Sequence, residues 1–350
     1  MTKSIPKAVK NVGRATLTEV SERAGVSRST ASLVLRGSSR ISTVTQERVK
    51  QAMRDLGYVY NRQAASMRES RSMTIGLVAT DIRNPYFAEL TMSLADSLHE
   101  AGYTLLTGYS RDRLDRQDEQ VQVMIQRQVD GLLLLPAIGS EGSMVGPSAL
   151  ASGTPLVQLA RYFSDEFDYV GPDNLVASVL LAQHISSLGR GTATLIGGPL
   201  ASSARIERMS GLESGFNGSP VLFDTARSIP TENNADDGAR GLSELLDAGF
   251  LPDIVIAYSD AVALGVYAEL RRRNLEPGRD IAVASFDDIP FAALQVPQLT
   301  SVATHPEQVG HRAAELLLSR VLDPGRAPQR VLIGPTLKAR ASTALWRPRP

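Results

Sequence analysis

The chain of 350 residues is long enough for two or three domains, and its 43% hydrophobic and 21% charged residues are typical of globular proteins. It contains no cysteine, which excludes disulfides, thiolate metal sites and cysteine nucleophiles. No apolar run is long enough to cross a bilayer and no secretory signal opens the chain, so we expect a cytoplasmic protein without membrane contact.

The formal net charge is zero, but the charges are segregated along the chain. Residues 1–70 contain 13 Lys or Arg and 5 Asp or Glu, a net charge of +8, and residues 71–350 carry the compensating −8. Residues 1–14 form a basic arm at the start. A basic segment on an acidic body suits a protein that presents one end to phosphate groups, although a solvated charged face is an alternative.

Residues 16–35 predict two short helices joined by a tight turn. Thr16 can cap the first helix, and Glu19 follows three residues later as a capping box requires. Gly25 can end this helix in a left-handed conformation, and Ser27 can cap the second. The pattern is typical of a DNA-binding helix-turn-helix, and an ordinary helical hairpin is the alternative.

A third helix is predicted from Ser42, its cap, to Leu56, and Gly57 would end it. Its predicted core side consists of Val44, Val49, Ala52 and Met53. The following residues 57–68 read G-Y-V-Y-N-R-Q-A-A-S-M-R.

Three motifs in this region resemble the headpiece and hinge helix of the lactose-repressor (LacI) family. They are A-G-V-S followed by S-T-A-S (residues 24–32), L-G-Y (residues 56–58) and N-R-x-A-x-x-[LM] (residues 61–67). The resemblance continues over nearly all of residues 15–345. It implies an all-α headpiece with a hinge helix, followed by an α/β core of two Rossmann-like lobes with parallel sheets, the type I periplasmic-binding fold.

The resemblance also implies three kinds of DNA contact. Arg28, Ser29 and Thr30 are expected to read bases in the major groove, where Arg pairs well with guanine. Leu33 stands where the family often carries an additional base-reading Arg or His. The candidate phosphate contacts are Ser27, Ser32, Arg36, Thr45, Asn61 and Arg62.

Met67 is the third kind of contact, because the family inserts a leucine-type side chain into the minor groove at the operator centre. Such an apolar wedge kinks the duplex, although packing of Met67 against the partner hinge is an alternative. The hinge helix has about two turns and is too short to be stable alone in water. We therefore expect it to fold when paired with its dimer mate on DNA.

The rest of the chain predicts two α/β lobes, since strands and helices alternate as in parallel sheets with right-handed crossovers. In the first series, strands are predicted at 74–79, 103–108, 131–135 and 155–159, with helices at 86–101 and 116–128. In the second, strands are predicted at 192–196, 254–257 and 281–285. Helices are predicted at 176–188, in a segment that ends at 211, at 235–247 and at 261–273. A helix at 305–319 and a late strand at 331–338 complete the prediction.

These elements and the resemblance give the expected domains: arm 1–14, headpiece 15–60, hinge helix and linker 61–72, and two lobes. The N-terminal lobe would hold 73–172 and about 303–330, and the C-terminal lobe 173–302 and about 331–345. The family chain crosses between lobes three times, and we expect the last crossing near residues 300–306. No leucine heptad follows, so a homodimer is the expected assembly.

A ligand is expected between the lobes, outside the carboxyl ends of the strands. The family motifs predict six effector-binding residues: Tyr86 and Phe87 in N-P-[FY]-F, Asp173 in D-N, Arg208 in R-x-x-G-[FL], Ser259 in place of the usual Asn of N-D, and Asp287 in [FY]-D-[DN].

An Arg, several carboxyl or amide groups and an aromatic wall suit a hydroxylated ligand such as a sugar. Because Arg205 adds a cation near Arg208, a sugar acid is a further hypothesis. Other roles are open for the same residues: Asp173 and Asp260 could cap helices, Arg208 could form a structural ion pair, and Asp287 could serve the lobe hinge.

The function predicted first is a transcriptional regulator, most simply a repressor, that binds a palindromic operator and is controlled by a small sugar-like effector. When bound to its operator it would be associated with the nucleoid. A solute-binding protein without a transcriptional role is the alternative. An enzyme is not predicted, because the four histidines are scattered and no nucleophile elbow, P-loop or dinucleotide fingerprint is present. No cofactor or metal is expected.

Overall fold

The computed structural model describes residues 15–35, 37–59, 71–344 and 346–347. The chain divides into two compact units, Met1–Ser72 and Met73–Pro350. The basic arm and the hinge helix, with the predicted contacts Arg36, Asn61, Arg62 and Met67, lie outside the described residues.

The described part of the first unit contains three helices: α1 (Leu17–Ala24), α2 (Arg28–Leu35) and α3 (Thr43–Leu56). Their ends follow the predicted capping chemistry. Thr16 and Glu19 form a reciprocal capping box at α1, and Gly25 ends that helix in the left-handed region with φ 63°. The backbone amide of Thr30 donates to Ser27 Oγ (3.1 Å), which caps α2.

A small core holds the three helices together. Val20, Ala31 and Val49, one from each helix, are fully buried in it. The prediction that Val44 belongs to this core was wrong, because its side chain is 70% exposed. At 100° per residue, Val44 lies about 140° around the helix from Val49. Ile41, which precedes the cap of α3, packs on the core instead.

The N-terminal lobe of the second unit is a six-stranded parallel sheet in the order β11-β5-β4-β3-β1-β2. Its strands are β1 (Thr74–Ala79), β2 (Thr104–Tyr109), β3 (Gly131–Leu134), β4 (Leu156–Leu159), β5 (Asp168–Pro172) and β11 (Arg330–Ile333). Its helices are α4 (Pro85–Glu100), α5 (Leu114–Gln126), α6 (Val145–Ser152) and α11 (Pro306–Leu322).

The C-terminal lobe is a second six-stranded sheet in the order β12-β10-β9-β8-β6-β7, in which β12 alone runs antiparallel. Its strands are β6 (Gly191–Ile196), β7 (Val221–Phe223), β8 (Ile254–Ala257), β9 (Ala282–Asp287), β10 (Thr300–Ala303) and β12 (Thr336–Lys338). Its helices are α7 (Asn174–Ser186), α8 (Ser203–Phe216), α9 (Ala235–Asp247), α10 (Asp260–Arg272) and α12 (Ala341–Ala344).

Helices cover both lobes, and each lobe has its own buried core of aliphatic strand residues. The predicted fold class, a helical headpiece followed by a two-lobe α/β core with parallel sheets, is therefore confirmed. Among the described residues, no helix has the length and apolar character needed to span a membrane.

The chain crosses between the lobes three times, but the last crossing differs from the predicted one. It passes from β5 to α7, from β10 to α11, and finally from β11 to β12. The predicted single strand at 331–338 is two strands in different sheets, because Gly334 and Pro335 interrupt it. Residues 330–333 thus belong to the N-terminal lobe, and the crossing near residues 300–306 is the second one.

Candidate functional site

A cleft of about 840 Å³ lies between the two lobes. Its walls are the segments that follow the parallel strands β1, β2 and β4 on one side and β6, β7, β8 and β9 on the other. The carboxyl ends of parallel strands, with the loops that follow them, lie at one edge of a sheet, so two such edges facing each other create a ligand-sized space.

Arg208 of α8 lies at the buried base of this cleft, with its side chain 6% exposed. Its Nε donates to Oδ1 of Asn174 (2.9 Å), and its Nη1 donates to the backbone oxygen of Tyr258. The guanidinium also lies over the rings of Tyr258 and Phe286, at 4.7 and 4.5 Å from their centroids. These contacts fix the plane of the guanidinium and leave one edge directed towards Asp287.

Asp287 ends β9 and completes a buried charge pair, with its Oδ1 3.6 Å from Nη2 of Arg208. Burial raises the pKa of Asp287 to about 7, against the opposing effect of Arg208. A carboxyl group with this pKa changes its protonation state near neutral pH. In its ionised form it is a strong acceptor for ligand hydroxyl protons.

An aromatic wall borders the same space. Asn84 caps α4 by accepting the backbone amide of Tyr86 (3.1 Å), which places Tyr86 and Phe87 in the first helical turn. Their rings meet edge to face at 5.2 Å. Tyr86 is buried, and its hydroxyl has no hydrogen-bond partner among the described residues. The cleft therefore combines a polar base with a flat apolar surface on which C–H groups of a ligand can pack.

A second polar cluster in the cleft was not predicted as a binding site. Arg161 and Asp112, from the loops after β4 and β2, form an ion pair at 3.2 Å. Glu232 and Asn233 of the C-terminal lobe also line the cleft. Burial, followed by the charge of Asp112, raises the pKa of Glu232. The sequence signal that these residues offer is the position of each one after a strand.

The backbone of the cleft is conformationally unusual. Five non-glycine residues near it have positive φ: Arg111 (52°), Asp112 (58°), Ala160 (56°), Asp287 (109°) and Asp288 (56°). Side chains disfavour this region, and residues held in it concentrate at functional sites. The strained loops aim the polar side chains of Asp112 and Asp287 into the space between the lobes.

Two of the six residues predicted to bind an effector do not line the cleft. Asp173 caps α7 by accepting the backbone amide of Val176 (3.0 Å), and Ser259 caps α10 by accepting that of Val262 (3.2 Å). Both side chains satisfy the free amide groups of a helix start, and their role in ligand binding stays a prediction. The remaining four, Tyr86, Phe87, Arg208 and Asp287, are brought together in the cleft.

Asp260 and Arg205 also differ from expectation. Asp260 is not the cap of α10 but a fully buried acceptor, receiving the Ser301 hydroxyl (2.7 Å), the Ile289 amide (2.7 Å) and the Ser285 hydroxyl. Arg205 is buried, donates to the backbone oxygen of Gly197 and does not line the cleft. The extra cation that motivated an acidic ligand is therefore absent from the cleft lining.

The headpiece presents the start of α2 as a polar surface. Ser27, Arg28 and Ser29 are exposed, and Thr30 is half-buried. The Ser27 hydroxyl contacts those of Ser29 (2.7 Å) and Thr30 (2.9 Å), so these side chains are arranged around one helix N-terminus. At the start of α3, the hydroxyl groups of Ser42 and Thr45 lie 3.0 Å apart. Helix N-termini attract anions such as phosphate.

Two family models match the chain. Residues 16–61 match the model of bacterial regulatory proteins of the lacI family, and residues 182–343 match that of a periplasmic binding protein-like domain. The first match covers the helical headpiece, and the second covers most of the C-terminal lobe together with α11 and β11 of the N-terminal lobe. The described residues contain no cluster of His, Cys, Asp and Glu side chains that could hold a metal ion.

Curated relatives are similar over almost their whole length. The ribose operon repressor of Escherichia coli (strain K12) is 27% identical, with 94% of this chain and 99% of the repressor covered. The transcriptional regulator CelR of Thermobifida fusca is 29% identical, with 94% of this chain and 98% of CelR covered.

Solved structures share the fold. A complex of the transcriptional regulator CelR with cellobiose is 28% identical with a TM-score of 0.71, covering 94% of this chain and all of the other. A lac repressor dimer bound to operator and an anti-inducer has a TM-score of 0.82 at 22% identity, covering 95% of this chain and 99% of the repressor chain.

A capped helix-turn-helix followed by a two-lobe core with a polar cleft defines a regulator that combines DNA binding with a sensory domain. The chain carries a helix-turn-helix domain of the lacI family of bacterial regulatory proteins and a periplasmic binding protein-like domain, and its relatives are regulators of the LacI family. It is a DNA-binding transcriptional regulator, and neither an enzyme nor a solute-binding protein without a transcriptional role is favoured.

Proposed function

We propose that this regulator represses transcription by binding a twofold-symmetric operator as a homodimer, and that a neutral sugar in the cleft controls its DNA affinity. The observation that carries this proposal is the Arg208–Asp287 pair at the buried base of the cleft, in a chain whose other unit is a capped helix-turn-helix. When bound to its operator, the protein would be associated with the nucleoid.

The cleft chemistry favours a sugar as the effector. The guanidinium of Arg208 binds vicinal oxygens as a fork, the carboxylate of Asp287 accepts hydroxyl protons, and Tyr86 with Phe87 offers a surface for the C–H face of a ring. Ionisable side chains of both signs line the cleft, so it has no strongly cationic character that would select an acid. Relatives named for ribose and maltose control, and the CelR complex with cellobiose, agree with this class.

On the DNA side, we propose that Arg28, Ser29 and Thr30 read base edges and that Ser27, Ser32 and Thr45 contact phosphates. Arg36, Asn61, Arg62 and Met67, outside the described residues, keep the roles that the family resemblance gives them. The observation that supports these roles is the exposed, polar N-terminal end of α2. The net charge of +8 in residues 1–70 supplies the general attraction to the duplex.

The test has two arms on the full-length protein. Selection from a pool of randomised duplexes should enrich one sequence with twofold symmetry. Isothermal titration with ribose, maltose, cellobiose and their acid forms should give saturable binding of a neutral sugar that Arg208→Gln removes. Enrichment of no symmetric sequence would contradict the operator proposal, and tighter binding of the acid forms would contradict the sugar class.

A further inference from the structure

A continuous chain of polar contacts runs from the base of the cleft to the opposite lobe. Arg208 Nε donates to Asn174 Oδ1 (2.9 Å), and Asn174 Nδ2 donates to Glu207 Oε2 (2.9 Å). Glu207 Oε1 then accepts from Nη2 of Arg330 (2.5 Å). Arg208, Asn174 and Glu207 belong to the C-terminal lobe, whereas Arg330 begins β11 of the N-terminal lobe.

Two tyrosine rings of the N-terminal lobe hold the guanidinium of Arg330. It lies 4.0 Å from the ring centroid of Tyr162 and 4.6 Å from that of Tyr169. Its partner Glu207 is only 14% exposed. Exposed ion pairs contribute little, but a planar guanidinium that stacks on aromatic faces and pairs with a largely buried carboxylate is held in one orientation.

A second contact joins the lobes at the same place. The backbone amide of Tyr162 donates to the hydroxyl of Ser203, the first residue of α8 (3.0 Å). Tyr162 therefore contributes its ring to Arg330 and its amide to the C-terminal lobe. Both contacts involve α8, the helix that also carries Arg208 and Glu207 in consecutive positions.

Asn174 links the cleft to this junction. Its side chain is 1% exposed, its amide oxygen is used by Arg208, and its amide nitrogen is used by Glu207. A buried amide with both groups engaged has one satisfied orientation, because a reversal would place donor against donor and acceptor against acceptor. The position of Arg208 therefore restricts the position of Glu207 through Asn174.

We propose that Arg330 and Glu207 form a latch that closes the two lobes, and that Asn174 transmits the position of Arg208 to it. A ligand that draws Arg208 towards the cleft would then change the strength of lobe closure. This last step rests on the proposed function of the cleft, whereas the latch itself does not. The role given to Asn174, Glu207 and Arg330 is positioning, since none of the three lines the cleft.

The amide of Tyr162 provides a direct readout, because its hydrogen bond exists only while the lobes are closed. Hydrogen–deuterium exchange with single-amide resolution is measured on the full-length protein without ligand or DNA. Arg330→Gln and Glu207→Gln should each accelerate exchange at Tyr162 by about tenfold or more. The amides of Phe163 and Ser164, which donate to Gln158 within one lobe, should keep their rates.

Arg227→Gln is the matched control. Arg227 makes the same kinds of contact, an ion pair with Asp224 (3.0 Å) and stacking over Phe250 (4.2 Å), but all three residues belong to the C-terminal lobe. This variant should leave the Tyr162 amide unchanged. The latch would be overturned if Arg227→Gln reduced the exchange protection of the Tyr162 amide, or if Arg330→Gln left that protection unchanged.

The relay is tested by Asn174→Asp and Arg208→Gln. The first variant keeps the acceptor for Arg208 but sets a second carboxylate against Glu207, and the second removes the donor to Asn174. Both variants should accelerate exchange at Tyr162. Thermal unfolding of the C-terminal lobe, monitored by the fluorescence of Trp346, checks that each variant is folded. Unchanged exchange in both variants would overturn the relay. Because no sugar or operator is present, the outcome is independent of whether the cleft binds a sugar.

Discussion

The residues at the base of the cleft show how burial changes the chemistry of ordinary side chains. Asp287 and Asp260 are both removed from water, and burial is the largest cause of the raised pKa of each. Only Asp287 faces the cleft. Burial therefore changes the pH dependence of ligand affinity at Asp287 and the pH dependence of stability at Asp260, and the two can be tested separately.

At Asp287 the expected consequence is a pH-dependent affinity for the sugar. With a pKa of about 7, the carboxyl group is mostly protonated at pH 6 and mostly ionised at pH 8. Because the ionised form accepts hydroxyl protons and pairs with Arg208, sugar affinity should rise between these pH values by roughly tenfold. Isothermal titration of the protein with the sugar at several pH values between 6 and 8 measures this change in affinity. Asp287→Asn should bind more weakly and show a flat profile, and a variant that keeps the slope would exclude Asp287 as its source.

At Asp260 the expected consequence concerns stability. Burial raises the pKa of Asp260 to about 6 from its ordinary value of 3.8. The unfolded chain loses this proton near pH 4 and the folded chain near pH 6, so this group's stabilisation is complete below pH 4. It is lost as pH rises to about 6, by roughly 3 kcal/mol of unfolding free energy.

The only tryptophan makes this measurable. Trp346 is 1% exposed in the core of the C-terminal lobe, and urea unfolding followed by its fluorescence reports on that lobe. Asp260→Asn should lose the fall in stability between pH 4 and 6. Asp115→Asn, at an exposed carboxylate paired with Arg113, should keep it. If the two variants have the same pH profile of stability, Asp260 is not the source of the fall between pH 4 and 6.

In the headpiece, Arg28 allows base reading and phosphate contact to be distinguished. Its exposed position at the start of α2 suits a bidentate contact with guanine. Arg28→Ala should lower affinity for the selected operator by about 1–3 kcal/mol and relax specificity at one symmetric position. Fluorescence anisotropy on operator variants measures both. Arg54→Ala, at the end of α3, is the charge-matched control, and an equal loss on random DNA would assign Arg28 to phosphate.

At the scale of elements, close helix packing in the C-terminal lobe depends on glycine. A Cβ added at Gly265 of α10 would collide with the backbone oxygen of Ala235, where α9 begins. A backbone atom cannot move aside as a flexible side chain can, so the two helices would have to separate.

Gly265→Ala should therefore lower the unfolding free energy by about 3 kcal/mol or more, despite the higher helix propensity of alanine. Gly142→Ala is the control, since an added Cβ there meets nothing within 4 Å and the backbone φ is ordinary. Urea unfolding of both variants provides the comparison. Equal stabilities would show that α9 and α10 can separate without cost.

The elements also show what the sequence could predict. The helix 235–247 and the strand 254–257 were predicted with their observed bounds, because the first has strong helical periodicity and the second is an apolar run. β5 was missed because its last residues are Gly171 and Pro172, which read as a turn. β7 has three residues, and β10 was interpreted as part of a lobe crossing.

The site was predictable to the extent that it rests on local motifs. Arg208 and Asp287 were found because each belongs to a recognisable segment at a strand or helix end. Asp112 and Arg161 were not, since they are 49 positions apart in the chain and only the fold brings them together. The capping roles of Ser259 and Asp173 could not be separated from a ligand role, because a residue that caps a helix and one that binds a ligand at the same place look alike in sequence.

At the scale of the whole molecule, the charge distribution separates two tasks. The net charge of +8 in residues 1–70 favours DNA in general, and the acidic remainder holds the cleft. Affinity from phosphate contacts falls steeply with salt concentration, whereas base contacts set the choice of sequence. A sugar bound in the cleft can act on this affinity only through a free-energy coupling, typically about 1–3 kcal/mol between linked sites.

Such a coupling is reciprocal, so control of DNA affinity by the sugar can be measured from both binding sites. Operator affinity of the full-length protein is measured against sugar concentration, and sugar affinity is measured with and without operator. We predict that each ligand changes the affinity of the other by the same factor, between about 5-fold and 150-fold. If the protein binds both ligands and neither affinity depends on the other ligand, the cleft does not control DNA binding.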